Sequence, residues 1–387
     1  MRGAHVRRGT PWLLLAALTA TVGSVSCGHA VASLRFSAPR TYKVPFEPQS
    51  VAIGDVTGDG RRDVLITSSH PPPFSSAMSL YLFRQRRSGS LVRLQRLDTY
   101  FSDSGEMGVD TGDVNRDGHR DVVVATESGV NAYYQRHGRL HGPDLIRVRG
   151  RRLPTEASEV VARNMDGDHD VDLVVTGNGG IWILRHRRHG WGASNVATYG
   201  GELEVARMNR DRRPDVVSIA NPTDVYLSRR RGGYSRQRVF DNLVFPSGGE
   251  AADVTGDGRP DVAITDGRNR PDSKILVHRG RHSGRIRPDA RVYQSYDIPE
   301  PIEAADMNRD GRRDLVTLHG GWKAAGIYLQ SRRHTLRKER LFHIPYRTHY
   351  NPKGLALGDV SGDRRADIVV AGDEGLVVLR SRRARHR

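Results

Sequence analysis

The sequence has a single cysteine, Cys27, in 387 residues. No intrachain disulfide framework and no cysteine-built zinc site can therefore form. Aromatic residues make up only 6% and hydrophobic residues 37%, too little for a multi-span membrane protein. Lysine is scarce: Lys43, Lys274, Lys323, Lys338 and Lys353 are the only ones among 61 basic side chains. The formal charge is +17, but the arginines are spread along the whole chain. A nucleic-acid protein gathers its basic residues on one face, so no nucleic-acid partner is expected, and the arginine bias reads as GC-rich codon usage. The plentiful residues are turn formers, with 42 Gly and 19 Pro, which argues against a helical bundle or coiled coil. Recurring apolar runs exclude wholesale disorder.

Residues 1–32 have the three parts of an export signal: Arg2, Arg7 and Arg8, then the apolar stretch Trp12 to Val22, then the small-residue site Ala30-Val31-Ala32. The apolar stretch is too short to span a bilayer. Cys27 follows Ser-Val-Ser, so two outcomes stay open: release, or a lipid anchor at Cys27 resembling that of a bacterial lipoprotein. Either way the chain is expected outside the cell, with no transmembrane span, and as a monomer. Cleavage after residue 32 removes three arginines and no acid, leaving +14.

Internal repetition then dominates. The segment VAIGDVTGDGRRDVLIT recurs six more times in altered form, with the first loop position at Asp55, Asp113, Asn164, Arg207, Asp253, Asp306 and Asp359. Seven units at this spacing mean an array or a propeller rather than seven domains. The shared pattern is D-x-[N/T/S]-x-D-G-x-x-D followed by an apolar, β-branched run. Acids at positions 1, 5 and 9 with an amide or hydroxyl at 3 place hard oxygen ligands in one turn, as Ca²⁺ requires. Gly at position 6 permits a left-handed backbone. The loop is not an EF-hand, because positions 12 of the first two loops are Ile66 and Val124 where that motif needs Glu.

Four loops are complete, and their expected ligands are Asp55, Thr57, Asp59 and Asp63; Asp113, Asn115, Asp117 and Asp121; Asp253, Thr255, Asp257 and Asp261; and Asp306, Asn308, Asp310 and Asp314. Two are weakened. Asn164, Asp166, Asp168 and Asp172 surround His169 at position 6, and Asp359, Ser361, Asp363 and Asp367 surround Arg364. A non-glycine residue in the left-handed region costs on the order of 1 kcal/mol. The loop at Arg207 has a cation at position 1 and is expected to hold no calcium, with Arg207 reaching Asp211 or Asp215 in the ion's place.

Each repeat reads as four short strands. In the first these are Val51–Gly54, Asp63–Thr67, Ser79–Gln85 and Leu91–Tyr100, separated by Gly, Pro and Ser clusters. The expected fold is all-β, a seven-bladed β-propeller of four-stranded antiparallel blades. The last repeat lacks an outer strand, while Ser33–Val44 precedes the first repeat as a strand without a blade. Pairing the N-terminal strand with the last blade closes the ring and protects both edges. The propeller then spans residues 33–380, with a basic tail at 381–387.

The seven loops resemble the FG-GAP/VCBS repeats of integrin α-subunit propellers and of secreted bacterial proteins. That resemblance implies calcium loops on the lower face, between the first two strands of each blade, and partners or glycans on the upper face. It implies no fixed chemistry, since relatives include polysaccharide lyases, lectins and adhesion receptors.

No nucleophile–histidine–acid order, nucleotide loop or histidine-rich metal spacing stands out. Four innermost strands carry an acid three residues before the loop: Asp110, Glu204, Glu250 and Glu303. These are expected to gather at the upper mouth of the channel, either as a cation, amine or sugar site or as a structural ring neutralised by arginine. Phe74, in the Pro-stiffened loop Ser68–Met78, and Trp322, in His319–Gly326, are candidate ligand contacts on the upper face or ordinary packing residues. The expected function is a non-catalytic module that binds a cell-surface protein or an anionic glycan. The alternative is a polysaccharide lyase or hydrolase using the channel acids. With the loop acids committed to calcium, the folded exterior becomes more basic than composition suggests, favouring anionic polymers.

Overall fold

The computed structural model describes residues 34–69, 78–99, 108–148, 155–240, 245–345 and 353–383. The export signal at residues 1–32, Cys27 and Phe74 lie outside them. The compact unit starting at Leu34 contains 28 strands in seven separate four-stranded antiparallel sheets and, among the described residues, no helix.

Blades I to VI are each built from four consecutive strands. Their innermost strands are Glu47–Gly54, Val109–Gly112, Glu159–Arg163, Glu202–Ala206, Pro246–Ala252 and Pro299–Ala305. Blade VII runs outward from Leu355–Gly358 through Asp367–Gly372 and Gly375–Leu379 to Arg40–Lys43. The expected closure is therefore present: Arg40 pairs with Val378 and Lys43 with Gly375. The ladder continues into the predicted tail, where Phe36 bridges Ser381 and the Arg382 amide donates to the Arg35 carbonyl at 2.8 Å. The innermost strands of neighbouring blades touch all round the ring, including blade VII against blade I.

The second strand of each blade explains the apolar β-branched run after every loop. Its residues are buried on both faces, as in Val64, Leu65 and Ile66, all fully inaccessible, because each blade is sandwiched between two others. A strand covered on both sides reads as a continuous apolar run rather than an alternating one. Seven apolar clusters result, one at each blade interface. Between blades I and II, for example, Leu65, Leu80 and Leu82 pack with Val122, Val124 and Tyr133.

Because strands alternate in direction, the acidic loops lie at one end of the channel. The turns between second and third strands lie at the other, with the blade-to-blade connections. A chain starting at residue 47 loses the closing strand and the burial of Leu34 and Val44. We expect it to be less stable by at least about 3–6 kcal/mol, counting only those two side chains. It should also associate through the uncovered edge of Gly375–Leu379. Guanidinium unfolding and size-exclusion chromatography check this, and wild-type stability in a monomeric truncation would refute the closure.

Candidate functional site

The loops share one backbone. Position 6 is left-handed in all seven, at Gly60, Gly118, Gly258 and Gly311 and also at His169, Arg212 and Arg364, with φ of 75°, 67° and 63°. Position 4 is left-handed as well in six of them, including Arg116 and Arg309, a second constraint on the turn.

The acid at position 9 opens the second strand and is fully buried in every blade: Asp63, Asp121, Asp172, Asp215, Asp261, Asp314 and Asp367. One carboxylate oxygen accepts N–H groups of loop positions 2 or 3, as from Val56 and Thr57 to Asp63 at 3.2 and 3.0 Å. The other accepts an N–H at the end of the third strand or just beyond it, from Gln85, Gln135, His186, Ser228, Gly280, Gln330 and Ser381. Burial pushes these carboxyls up, to about 6 for Asp63 and about 7 for Asp314, with neighbouring loop acids pushing the same way.

Position 1 is an acceptor of loop N–H groups. Asp55, Asp113, Asp253 and Asp306 each bind those of positions 5 and 6 at 2.8–3.1 Å. Asp359 accepts four N–H groups, from positions 3 to 6, whereas Asn164 accepts one, from Gly167. At position 5, Asp59, Asp257 and Asp310 pair with the arginine two residues on, Arg61, Arg259 and Arg312. Asp117, Asp168 and Asp363 accept the backbone N–H of position 7. At position 3, Asn115 and Asn308 bridge to position 5. Thr57, Thr255 and Ser361 instead set a buried hydroxyl beside the position 9 carboxylates Asp63, Asp261 and Asp367, and Asp166 carries one buried oxygen with no hydrogen-bond partner. Among the described residues, no three His, Cys, Asp or Glu side chains converge as a metal-holding group. The donors nonetheless fit a hard cation in kind: all are oxygens, the loop backbone is formed, and one Asp166 oxygen is buried without a partner. Arg207 does not behave as expected. It is exposed and, among the described residues, forms no ion pair with Asp211 or Asp215, so its charge is left to solvent.

The channel holds the second cluster. Asp110, Glu204 and Glu303 line a cavity of about 250 Å³, with Glu250 buried beside Glu204 and Glu303. The neutralising residue is not an arginine alone. Lys353 sits among the acids, its Nζ 2.9 Å from Glu204, 3.0 Å from Glu159 and 3.3 Å from Glu202, while Arg163 pairs with Asp110 at 3.1 Å. Glu159, Glu202 and Lys353 were not found from sequence.

Several of these acids also tie one blade to the next. The innermost strand has no partner on its channel side, so its N–H groups need acceptors. Asp110 accepts from Ala162, Glu159 from Leu203, Glu202 from Gly249 and Glu250 from Ala304, at 2.6–2.9 Å. Between blades VII and I the Lys353 carbonyl accepts from Val51 at 2.9 Å. Burial raises Glu159 to about 7 and Glu303 to about 8, and holds Glu202 and Glu250 well above the usual range. Burial alone would lower Lys353, but the surrounding carboxylates hold it well above its ordinary value.

On the face opposite the loops, Trp322 is 44% exposed. Its ring meets Tyr296 edge-on at 5.8 Å, and Arg270 lies over Tyr296 at 4.3 Å. Behind them the buried His319 contacts Glu339 at 2.9 Å.

The channel acids bind protons in the folded protein at a pH where the unfolded chain has released them. Between about 4.5 and 8 the native state therefore holds more protons, and the cluster's contribution to stability falls as pH rises. Glu303→Gln is expected to flatten that slope. Lys353→Met leaves the carboxylates unpaired and should destabilise by about 3–5 kcal/mol at pH 8, and by clearly less at pH 5. Urea unfolding at the two pH values measures this, and an equal loss at both would refute the cluster's role.

The FG-GAP-like repeat family matches residues 55–124 and 253–317, spanning loops I and II and loops V and VI. No curated protein matches the chain in sequence. Several solved structures share its fold. An Agrocybe aegerita lectin, described for recognition of non-reducing terminal N-acetylglucosamine, is 16% identical, with 87% of this chain and 85% of that one covered and a TM-score of 0.56. The BP39L lectin of Burkholderia pseudomallei is 12% identical, with 88% and 98% covered and a TM-score of 0.60. BBS1N, solved in complex with ARL6DN, is 11% identical, with 92% and 99% covered and a TM-score of 0.61. At these identities the likeness concerns the fold alone. Among the described residues, no helix is long and apolar enough to cross a membrane. Two stretches of the chain match FG-GAP-like repeats, and the chain folds into a seven-bladed β-propeller.

Proposed function

We propose that this protein is an exported, calcium-stabilised propeller that serves as a non-catalytic binding module for a cell-surface protein or polysaccharide. One observation carries the non-catalytic reading: the channel acids other than Glu303 are spent on structure. Asp110, Glu159, Glu202 and Glu250 cap backbone N–H groups of the next blade, and Glu204 holds Lys353. A glycosidase or lyase needs acids free to reach substrate and exchange its protons. The exposed Trp322 beside Tyr296 and Arg270 offers instead an aromatic platform with a cation, a combination suited to sugar rings or a protein anchor. Two of the fold relatives are lectins, which supports the sugar class.

Calcium would be held by position 1 and 5 carboxylates, the position 3 oxygen and the position 9 acid, best in loops I, II, V and VI and more weakly in III and VII. Bound ions would neutralise the loop acids. In loops I, V and VI, Arg61, Arg259 and Arg312 must first release position 5.

Calcium should raise the melting temperature and EDTA should lower it, with Asp55→Asn and Asp306→Asn each shrinking the calcium effect. No calcium by elemental analysis and no response to EDTA would sink this part. On a glycan array, Trp322→Ala should lose at least tenfold in signal on whatever hit the wild type gives. A product assay on the same hit separates the enzyme alternative: turnover abolished by Glu250→Gln or Glu303→Gln would overturn the non-catalytic reading.

A further inference from the structure

Position 8 of the loop, just before the buried aspartate, is Arg62, Arg120 and Arg313 in blades I, II and VI, but Pro214 and Pro260 in blades IV and V. These arginines are turned toward the channel. Arg120 donates Nη1 to the Thr111 carbonyl and Arg313 to the Ala304 carbonyl, both at 3.1 Å and both on their own innermost strands. Arg62 lies against Gly358, at the end of the innermost strand of blade VII. Blade III adds Arg163 and blade VII adds Arg365, so five consecutive blades contribute a guanidinium to the loop-side mouth.

Two open cavities sit there, of about 750 Å³ across blades I, II and III and about 660 Å³ across blades VI, VII and I. Arg62 lines both. Their carboxylates are already engaged: Asp55, Asp113, Asp306 and Asp359 accept loop N–H groups with both oxygens, and Asp110 pairs with Arg163. Arg62 has no partner among the described residues, and Arg120 and Arg313 use one nitrogen each. A guanidinium with free N–H groups is a preorganised fork for carboxylate, sulfate or phosphate oxygens. The two cavities meet at Arg62, and each is too large for one inorganic ion. Among the described residues, no Phe, Tyr or Trp lines either cavity, whereas single-stranded nucleic acid is held by aromatic stacking.

We infer that the loop-side mouth of the channel binds an anionic polysaccharide, its carboxylate or sulfate groups seated along Arg313, Arg62, Arg120 and Arg163. This goes beyond the binding-module reading and lies on the opposite face from Trp322, so each can fail alone.

The test is isothermal titration of the full chain with a heparin octasaccharide and, separately, an oligogalacturonate, the two sources of charge. Neutral dextran and octathymidylate are the controls. Saturable binding of either acidic sugar, weakening as salt rises, is expected. Arg62→Gln should weaken it about three- to tenfold and Arg62→Gln/Arg313→Gln more than tenfold. Arg230→Gln/Arg231→Gln, on exposed turns of blade IV, should change it less than twofold, and Trp322→Ala not at all. Circular dichroism melting of each variant confirms folding. Absence of saturable binding, equal losses in the Arg230/Arg231 variant, or tighter binding of octathymidylate would overturn the inference.

Discussion

The structure depends on a buried carboxylate repeated seven times. Each position 9 aspartate sits where the first-to-second-strand loop meets the far end of the third strand, and it accepts N–H groups from both. Charge-assisted hydrogen bonds of this kind contribute about 1.5–3 kcal/mol each, offset by the cost of burying the charge, which is visible in the raised carboxyl pKa values. The contact is the same in loops with and without a complete acidic set. Blade IV shows this: Asp215 makes both contacts although Arg207 stands at position 1.

A second set of carboxylates answers a different demand. A propeller leaves the channel edge of every innermost strand without a neighbouring strand, and parts of that edge are deeply buried. Here the acceptors come from the preceding blade, as Asp110, Glu159, Glu202 and Glu250. Five glutamates and one lysine in so small a space cannot all be ionised cheaply, so proton uptake and the Lys353 ammonium share the work. The same residue types that suggest chemistry in the sequence thus serve as inter-blade ties.

The repeat made the fold legible. Gly at position 6 in four loops announced a left-handed turn, and the shared register carried it to His169, Arg212 and Arg364, where residue identity alone would have argued against it. The missing outer strand of the last repeat announced the closure. The site was less legible, because sequence spacing reports neighbours along one strand and not across the channel. Glu159 and Glu202 stand five residues before the loop, outside the three-residue spacing that singled out Asp110, Glu204, Glu250 and Glu303. Lys353 lies before its strand altogether. Its signal was rarity: one of five lysines in a chain that otherwise uses arginine. A slender ammonium fits among three carboxylates where a planar guanidinium would be crowded.

Ring closure has a kinetic consequence. The pairing of Arg40 with Val378 joins segments from opposite ends of the described chain, so blade VII is among the most non-local contacts a protein of this size can make. Loop-closure entropy must be met before such a ladder yields any return, and folding slows accordingly. Six blades can form in order as the chain lengthens, each on its local hairpins. The seventh cannot, and until it does both Gly375–Leu379 and the Arg40–Lys43 segment remain open edges. The interval before closure is therefore when this chain is most exposed to mispairing with another copy of itself.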